Sequence, residues 1–179
     1  PLTSYGAQKA VSELLLADYS RKGMVDGISI RLPTICVRPG KPNLAASGFF
    51  SGIIREPLNG VEARLPVNTS VRHWYASPRS AAGFLMHAAE LDTSKLNHRI
   101  NLSMPGLSAT IEDQIDALRR VAGDETVKLI KHDIDPKIDK IVSGWARDLD
   151  TQRAIDLGFK AESNFDEIIN VYIEDDLKK

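Results

Sequence analysis

Residues 4–23 read SYGAQKAVSELLLADYSRKG, and residues 27–40 read GISIRLPTICVRPG. The first stretch predicts a helix over 4–21. Ala7, Ala10, Val11, Leu14 and Leu15 fall at helical spacing and make an apolar stripe, and Gly23 supplies a stop after Arg21 and Lys22. The second stretch predicts a strand, rich in β-branched residues and bounded by Gly27 and by Pro39-Gly40. Pro33 sits inside it and has no N–H for a ladder, so the strand is expected to end or bulge there. Tyr5 and Lys9 stand about one helical turn apart and share a face of the predicted helix.

Outward from these two elements the chain reads as alternating helices and strands. Residues 38–47 are a loop with two prolines, and 46–56 (ASGFFSGIIRE) a helix closed near Pro57 and Gly60. EARLPV (62–67) and VRHWYA (71–76) are short strands. Ser77 caps and Pro78 opens a helix over 77–91, where the first position needs no N–H. RINLSM (99–104) alternates and predicts a strand, and Thr110 with Asp113 predicts a capped helix ending at Gly123. VKLI (127–130) is a weak strand, 136–149 gives no clear pattern, 150–157 is a short helix stopped by Gly158, and 164–179 is an amphipathic terminal helix with a solvated charged end.

Composition narrows the function. The 179 residues are 42% hydrophobic and 26% charged with net charge −1, which fits a globular fold. Basic residues form no block, so no nucleic-acid or membrane-surface footprint is present, and no apolar run reaches the ~18 residues of a membrane helix. A single cysteine, Cys36, fits a reducing compartment. His73, His87, His98 and His132 show no metal-ligand spacing, so no metal is expected. Trp74, Phe84 and Met86 are expected in the core.

A tyrosine and a lysine so placed have a chemistry. A free tyrosine keeps its proton at neutral pH, and an ammonium one turn away favours the phenolate. Such a pair can exchange a proton with a substrate hydroxyl while a hydride moves to or from a nicotinamide.

The order SYGAQKAVSELLL, GISIRLPTICVRPG, SGFFSGIIREPLNG, VRHWYASPRSAAGFLMHAA, RINLSMPGLSATIEDQIDALRRVAG and RAIDLGF resembles the extended short-chain dehydrogenase/reductase family, which includes nucleotide-sugar epimerases and dehydratases. Its wording is similar to a branch that oxidises a small four-carbon sugar acid, D-erythronate-like, with NAD. The resemblance implies an α/β fold: the C-terminal part of a Rossmann-type doubly wound parallel sheet plus a small mixed α/β substrate-binding region. The glycine-rich dinucleotide turn of that family lies far upstream of Tyr-x-x-x-Lys, so the dinucleotide-binding N-terminal half is expected to be absent from this sequence, which alone should neither bind NAD nor react. Residues 1–40 would be the end of the Rossmann portion and 41–179 mostly the substrate portion, with a returning strand near 99–104.

The same resemblance implies roles. Tyr5 would be the catalytic acid/base and Lys9 its electrostatic partner and a ribose ligand. Pro33, Thr34 and Ile35 would run beside the nicotinamide of NAD, or of NADP. Arg72 would hold the substrate's anionic group, with Arg38 a second cation, and Ser47 and Phe49 would line the pocket. His73 stands where epimerases usually carry aspartate, which implies an altered pocket. The family also implies a cytoplasmic homodimer formed through the Tyr-x-x-x-Lys helix. Two alternatives stay open: a nucleotide-sugar epimerase or dehydratase, and a non-catalytic cofactor-binding or regulatory protein of the same fold.

Overall fold

The computed structural model describes residues 1–41 and 45–177. In chain order these form α1 (Ser4–Arg21), β1 (Ser29–Arg31), β2 (Thr34–Ile35), α2 (Gly48–Leu58), β3 (Ala63–Leu65), β4 (Arg72–Ala76), α3 (Pro78–Glu90), β5 (Asn101–Ser103), β6 (Leu107–Thr110), α4 (Ile111–Ala122), α5 (Asp124–Val127), β7 (Ile130–His132), α6 (Pro136–Ser143), α7 (Gln152–Asp156) and α8 (Phe165–Asp175).

The predicted strand after α1 divides at Leu32-Pro33, and its halves join different sheets. β1 pairs in parallel with β5, and β2 pairs in parallel with β4. β4 also runs antiparallel to β6, which makes a mixed three-stranded sheet, and β3 pairs in parallel with β7. The fold class is thus α/β with mainly parallel pairings, as expected for the C-terminal half of a Rossmann-type fold.

Local chemistry explains where the helices start. The Thr3 hydroxyl accepts from the Gly6 amide at the head of α1, and the Ser77 hydroxyl accepts from Ser80 at the head of α3. Thr110 and Asp113 close a full capping box on α4. Asp135 caps α6 inside the stretch whose sequence showed no pattern. Gly123, at φ +82°, lets the chain leave α4 in a conformation that side chains resist.

The apolar residues gather in two cores. One is built from Phe50, Ile53 and Ile54 of α2, Leu65, Tyr75, Ile115 and Leu118 of α4, and Ile168, Ile169 and Tyr172 of α8. The other holds Ala76, Phe84, Leu96, Leu102, Met104, Ala154 and Phe159, with Leu16, Ile28, Ile30 and Ile35 packed against it. Residues from 1–40 and from 41–179 therefore share the second core.

One expectation changes. Met86 is 67% exposed, whereas Trp74 and Phe84 are buried as expected. The α1 stripe faces outward: Val11, Leu14 and Leu15 are more than half exposed, and the buried residue of that helix is Glu13. At the other end of the chain, Glu174 and Asp175 are not merely solvated, because both pair with Arg79. Lys178 and Lys179 lie outside the described residues.

Candidate active site

Tyr5 and Lys9 look onto a cleft of about 940 Å³ between α1 and the β1–β2 segment. The Lys9 ammonium lies 5.3 Å from the centre of the Tyr5 ring, within reach of a cation–π contact. Both side chains are exposed along the cleft.

The face that carries them continues one turn further to Glu13. Arg31 of β1 donates from Nε and from a terminal guanidinium nitrogen to the two carboxylate oxygens, at 2.7 and 2.5 Å. Asn101 of β5 adds a longer contact of 3.3 Å. The hydrogen bonds from Arg31 hold the Glu13 carboxyl below its ordinary range, against the opposing effect of burial. This fork ties α1 to the strand opposite, one turn along the helix from Lys9.

Pro33, Thr34 and Ile35 line the cleft opposite Tyr5. Gly106 backs this wall so closely that a Cβ there would stand 2.6 Å from the Tyr75 carbonyl oxygen and 3.0 Å from the Pro33 ring. The Thr34 hydroxyl oxygen lies 2.6 Å from Nε2 of His73. Burial of the His73 imidazole pushes its pKa down to about 4, with a weaker upward pull from the Ala146 backbone.

Arg38 and Ser47 reach the same cleft. The Arg38 backbone is held from both sides: its N–H donates to the Ser51 hydroxyl and its carbonyl accepts from Arg55. Ser47 precedes α2 without using its hydroxyl as a cap. Arg72 stands apart from the cleft. Its guanidinium donates to the Ser108 carbonyl at 2.9 Å and lies 3.8 Å from the Asp113 carboxylate. Phe49 packs beside Phe50, with ring centres 4.2 Å apart. Tyr5, Lys9, Pro33, Thr34, Ile35, Arg38 and Ser47 thus meet at one cleft, and Arg72 does not.

No family model matches the chain. Over 175 residues it is 49% identical to a D-erythronate dehydrogenase of Cupriavidus necator, which covers 98% of this chain and 54% of that protein. It is 45% identical over 177 residues to a D-erythronate dehydrogenase of Haemophilus influenzae, covering 99% and 56% respectively. A crystal structure described as the nucleoside-diphosphate-sugar epimerase from Agrobacterium tumefaciens superposes with a TM-score of 0.96 at 63% identity, over 98% of this chain and 52% of that one. Nearly the whole chain is thus similar to D-erythronate dehydrogenases and to a protein described as a nucleoside-diphosphate-sugar epimerase. It spans about half the length of the relatives it matches.

Two site residues were not assigned their contacts from the sequence. Glu13 continues the Tyr5–Lys9 spacing by one more step of four, a signal present in residues 4–23. The contact of His73 with Thr34 joins residues 39 apart and depends on the β2–β4 register, which no local pattern carries. Among the described residues, no cluster of three or more His, Cys, Asp or Glu side chains is placed to hold a metal. No described helix is long and apolar enough to cross a membrane.

Proposed function

We propose that this chain carries the proton-transfer residues and part of the substrate cleft of an NAD-dependent dehydrogenase acting on a small sugar acid of the D-erythronate kind. The observation that supports it most is the placement of Tyr5 and Lys9 on one wall of the cleft, with Pro33, Thr34 and Ile35 on the other. The cleft volume and its mixed polar and apolar walls fit a nicotinamide and ribose. Lys9 would hold the ribose, and the backbone at Pro33–Ile35 would run beside the nicotinamide. NAD, or NADP, supplies the hydride acceptor when bound.

The chain's own residues do the rest. Tyr5, as phenolate, takes the proton of the substrate hydroxyl at its oxygen, with the Lys9 ammonium 5.3 Å from its ring centre. Glu13 and Arg31 hold the helix face still while this happens. Of the other charged side chains lining the cleft, Lys9 and Arg38 remain, which suits an anionic substrate. Arg72 would join the carboxylate only by leaving Ser108 and Asp113. We infer a cytoplasmic homodimer in which the exposed apolar side of α1 is the contact surface.

The test is NAD reduction with D-erythronate by the complete polypeptide that carries these residues. Tyr5→Phe should lower kcat by a factor on the order of 10² or more with little change in NAD affinity. Near-normal turnover by that variant would remove Tyr5 from the chemistry. The likeness to the Agrobacterium tumefaciens epimerase favours a second reading, epimerisation of a nucleotide sugar. Turnover of a nucleotide sugar without net NAD reduction would select it.

A further inference from the structure

Arg38 lies shortly after β2 and stands in the wall of two spaces. One is the cleft that holds Tyr5 and Lys9. The other is a smaller cavity of about 300 Å³ against α2, with Phe49, Gly52, Arg55, Glu56 and Arg64 in its lining.

Four arginines among the described residues line these two spaces. Arg31 pairs with Glu13, Arg55 with Glu56 and Arg64 with Asp133. Glu62, the remaining carboxylate of the linings, pairs with Lys131. Every carboxylate around the two spaces thus already has a cation. Arg38 is half-buried and has no ion pair among the described residues. A half-buried guanidinium that the fold leaves without a carboxylate is suited to take one from a ligand.

The backbone of Arg38 is pinned from α2. Its N–H donates to the Ser51 hydroxyl at 3.0 Å, and its carbonyl accepts from Arg55 at 2.8 Å. Ser51 is 1% exposed and Arg55 8%, so water does not compete freely for either bond. The two bonds hold the peptide planes on both sides of Arg38, and with them the direction of its Cα–Cβ bond. A second nitrogen of the Arg55 guanidinium donates to the Glu56 carboxylate at 2.6 Å. Glu56 neutralises Arg55, so the charge offered to a ligand is that of Arg38.

We propose that Arg55 is a positioning residue: held by Glu56, it fixes the backbone of Arg38 so that the Arg38 guanidinium takes the carboxylate of an acid bound in the cleft. Arg72, engaged by Ser108 outside the cleft, is not needed for that contact. The choice of D-erythronate as the acid rests on the dehydrogenase reading above; the clamp on Arg38 does not.

The complete polypeptide loaded with NADH, which accepts no hydride, lets calorimetry read binding without turnover. Arg38→Ala should weaken D-erythronate binding about thirtyfold or more. Arg55→Met with Glu56→Gln, which removes both charges of the pair together, should weaken it about tenfold. Added to Arg38→Ala, that pair of substitutions should cost no further affinity, because its effect runs through Arg38. Ser51→Ala releases the other side of the clamp and carries the test if the paired variant does not fold. It should weaken binding in the parent and leave Arg38→Ala unchanged. The neutral amide of the same acid should bind the parent and all variants alike. Absence of D-erythronate binding in the parent, unchanged affinity in Arg38→Ala or in the α2 variants, a further loss when these are added to Arg38→Ala, or equal weakening for the amide overturns the proposal. The expected pattern in a protein that does not reduce NAD would defeat the dehydrogenase reading and leave this assignment standing.

Discussion

Glu13 and Arg31, eighteen residues apart in the chain, meet through two parallel hydrogen bonds across the mouth of the cleft. A carboxylate and a guanidinium joined at both ends cannot rotate about their axis as a single contact could. Tyr5, Lys9 and Glu13 lie four residues apart in succession, so the anchor and the two reactive groups share one helical face.

Replacement of Glu13 by Gln should therefore act on geometry more than on stability. Arg31 is more than half exposed and keeps water when its partner is lost, so the stability loss should be about 1–2 kcal/mol. Amide exchange across α1 should accelerate, and kcat/KM of the complete polypeptide should fall. Unchanged exchange in α1 would show that the fork does not hold the helix.

His73 gives a pH dependence of known sign. Its folded pKa is about 4, below the ordinary histidine value of about 6.5, so the unfolded chain binds a proton that the folded chain refuses. The resulting stability is complete above about pH 6.5 and is lost as pH falls toward 4, by roughly 3 kcal/mol in all. Urea midpoints across that window should slope less steeply in His73→Phe than in the parent. Glu13, whose carboxyl Arg31 holds below its ordinary range, is common to both proteins and should contribute equally to both.

Gly106→Ala should be destabilising by about 1–3 kcal/mol, because the new methyl would press on a backbone oxygen, Tyr75 O, at 2.6 Å. The same methyl would meet Pro33, so the cleft wall should shift with it. Thermal unfolding measures the first effect, and D-erythronate affinity in the complete polypeptide the second. A melting temperature equal to the parent's would mean that this backbone yields without strain.

Val11, Leu14 and Leu15 present a continuous exposed apolar surface on α1. If this surface is the subunit contact, Leu14→Glu with Leu15→Lys should lower the mass seen by light scattering. The double variant should keep the circular dichroism of the parent. An unchanged mass would place the contact elsewhere.

The sequence made some of this legible and not the rest. Caps announced themselves, since Thr110 with Asp113 and Ser77 with Pro78 are local chemistry, and Pro33 marked the division of its strand. β6 was hidden because Pro105-Gly106 reads as a turn that ends a strand, whereas here it joins β5 to another sheet. The α1 stripe had the right period, and spacing tells which residues share a face, not what lies opposite it. Of the site, the Tyr5–Lys9 pair was visible because both partners lie within one turn. The position of Arg72 depended on Ser108 and Asp113, and that of His73 on the rings around it, which only the folded chain assembles.

The chain passes back and forth between its two cores, changing at Ile35–Cys36, at Tyr75–Ala76, between Met104 and Leu107, between Trp145 and Ala154, and between Ala161 and Phe165. Each core is stitched from segments distant in sequence. A protease that nicks the loop at Pro105-Gly106 would thus leave two fragments that each own part of both cores. Such fragments should stay together under native conditions and separate only in denaturant, and neither should refold without the other.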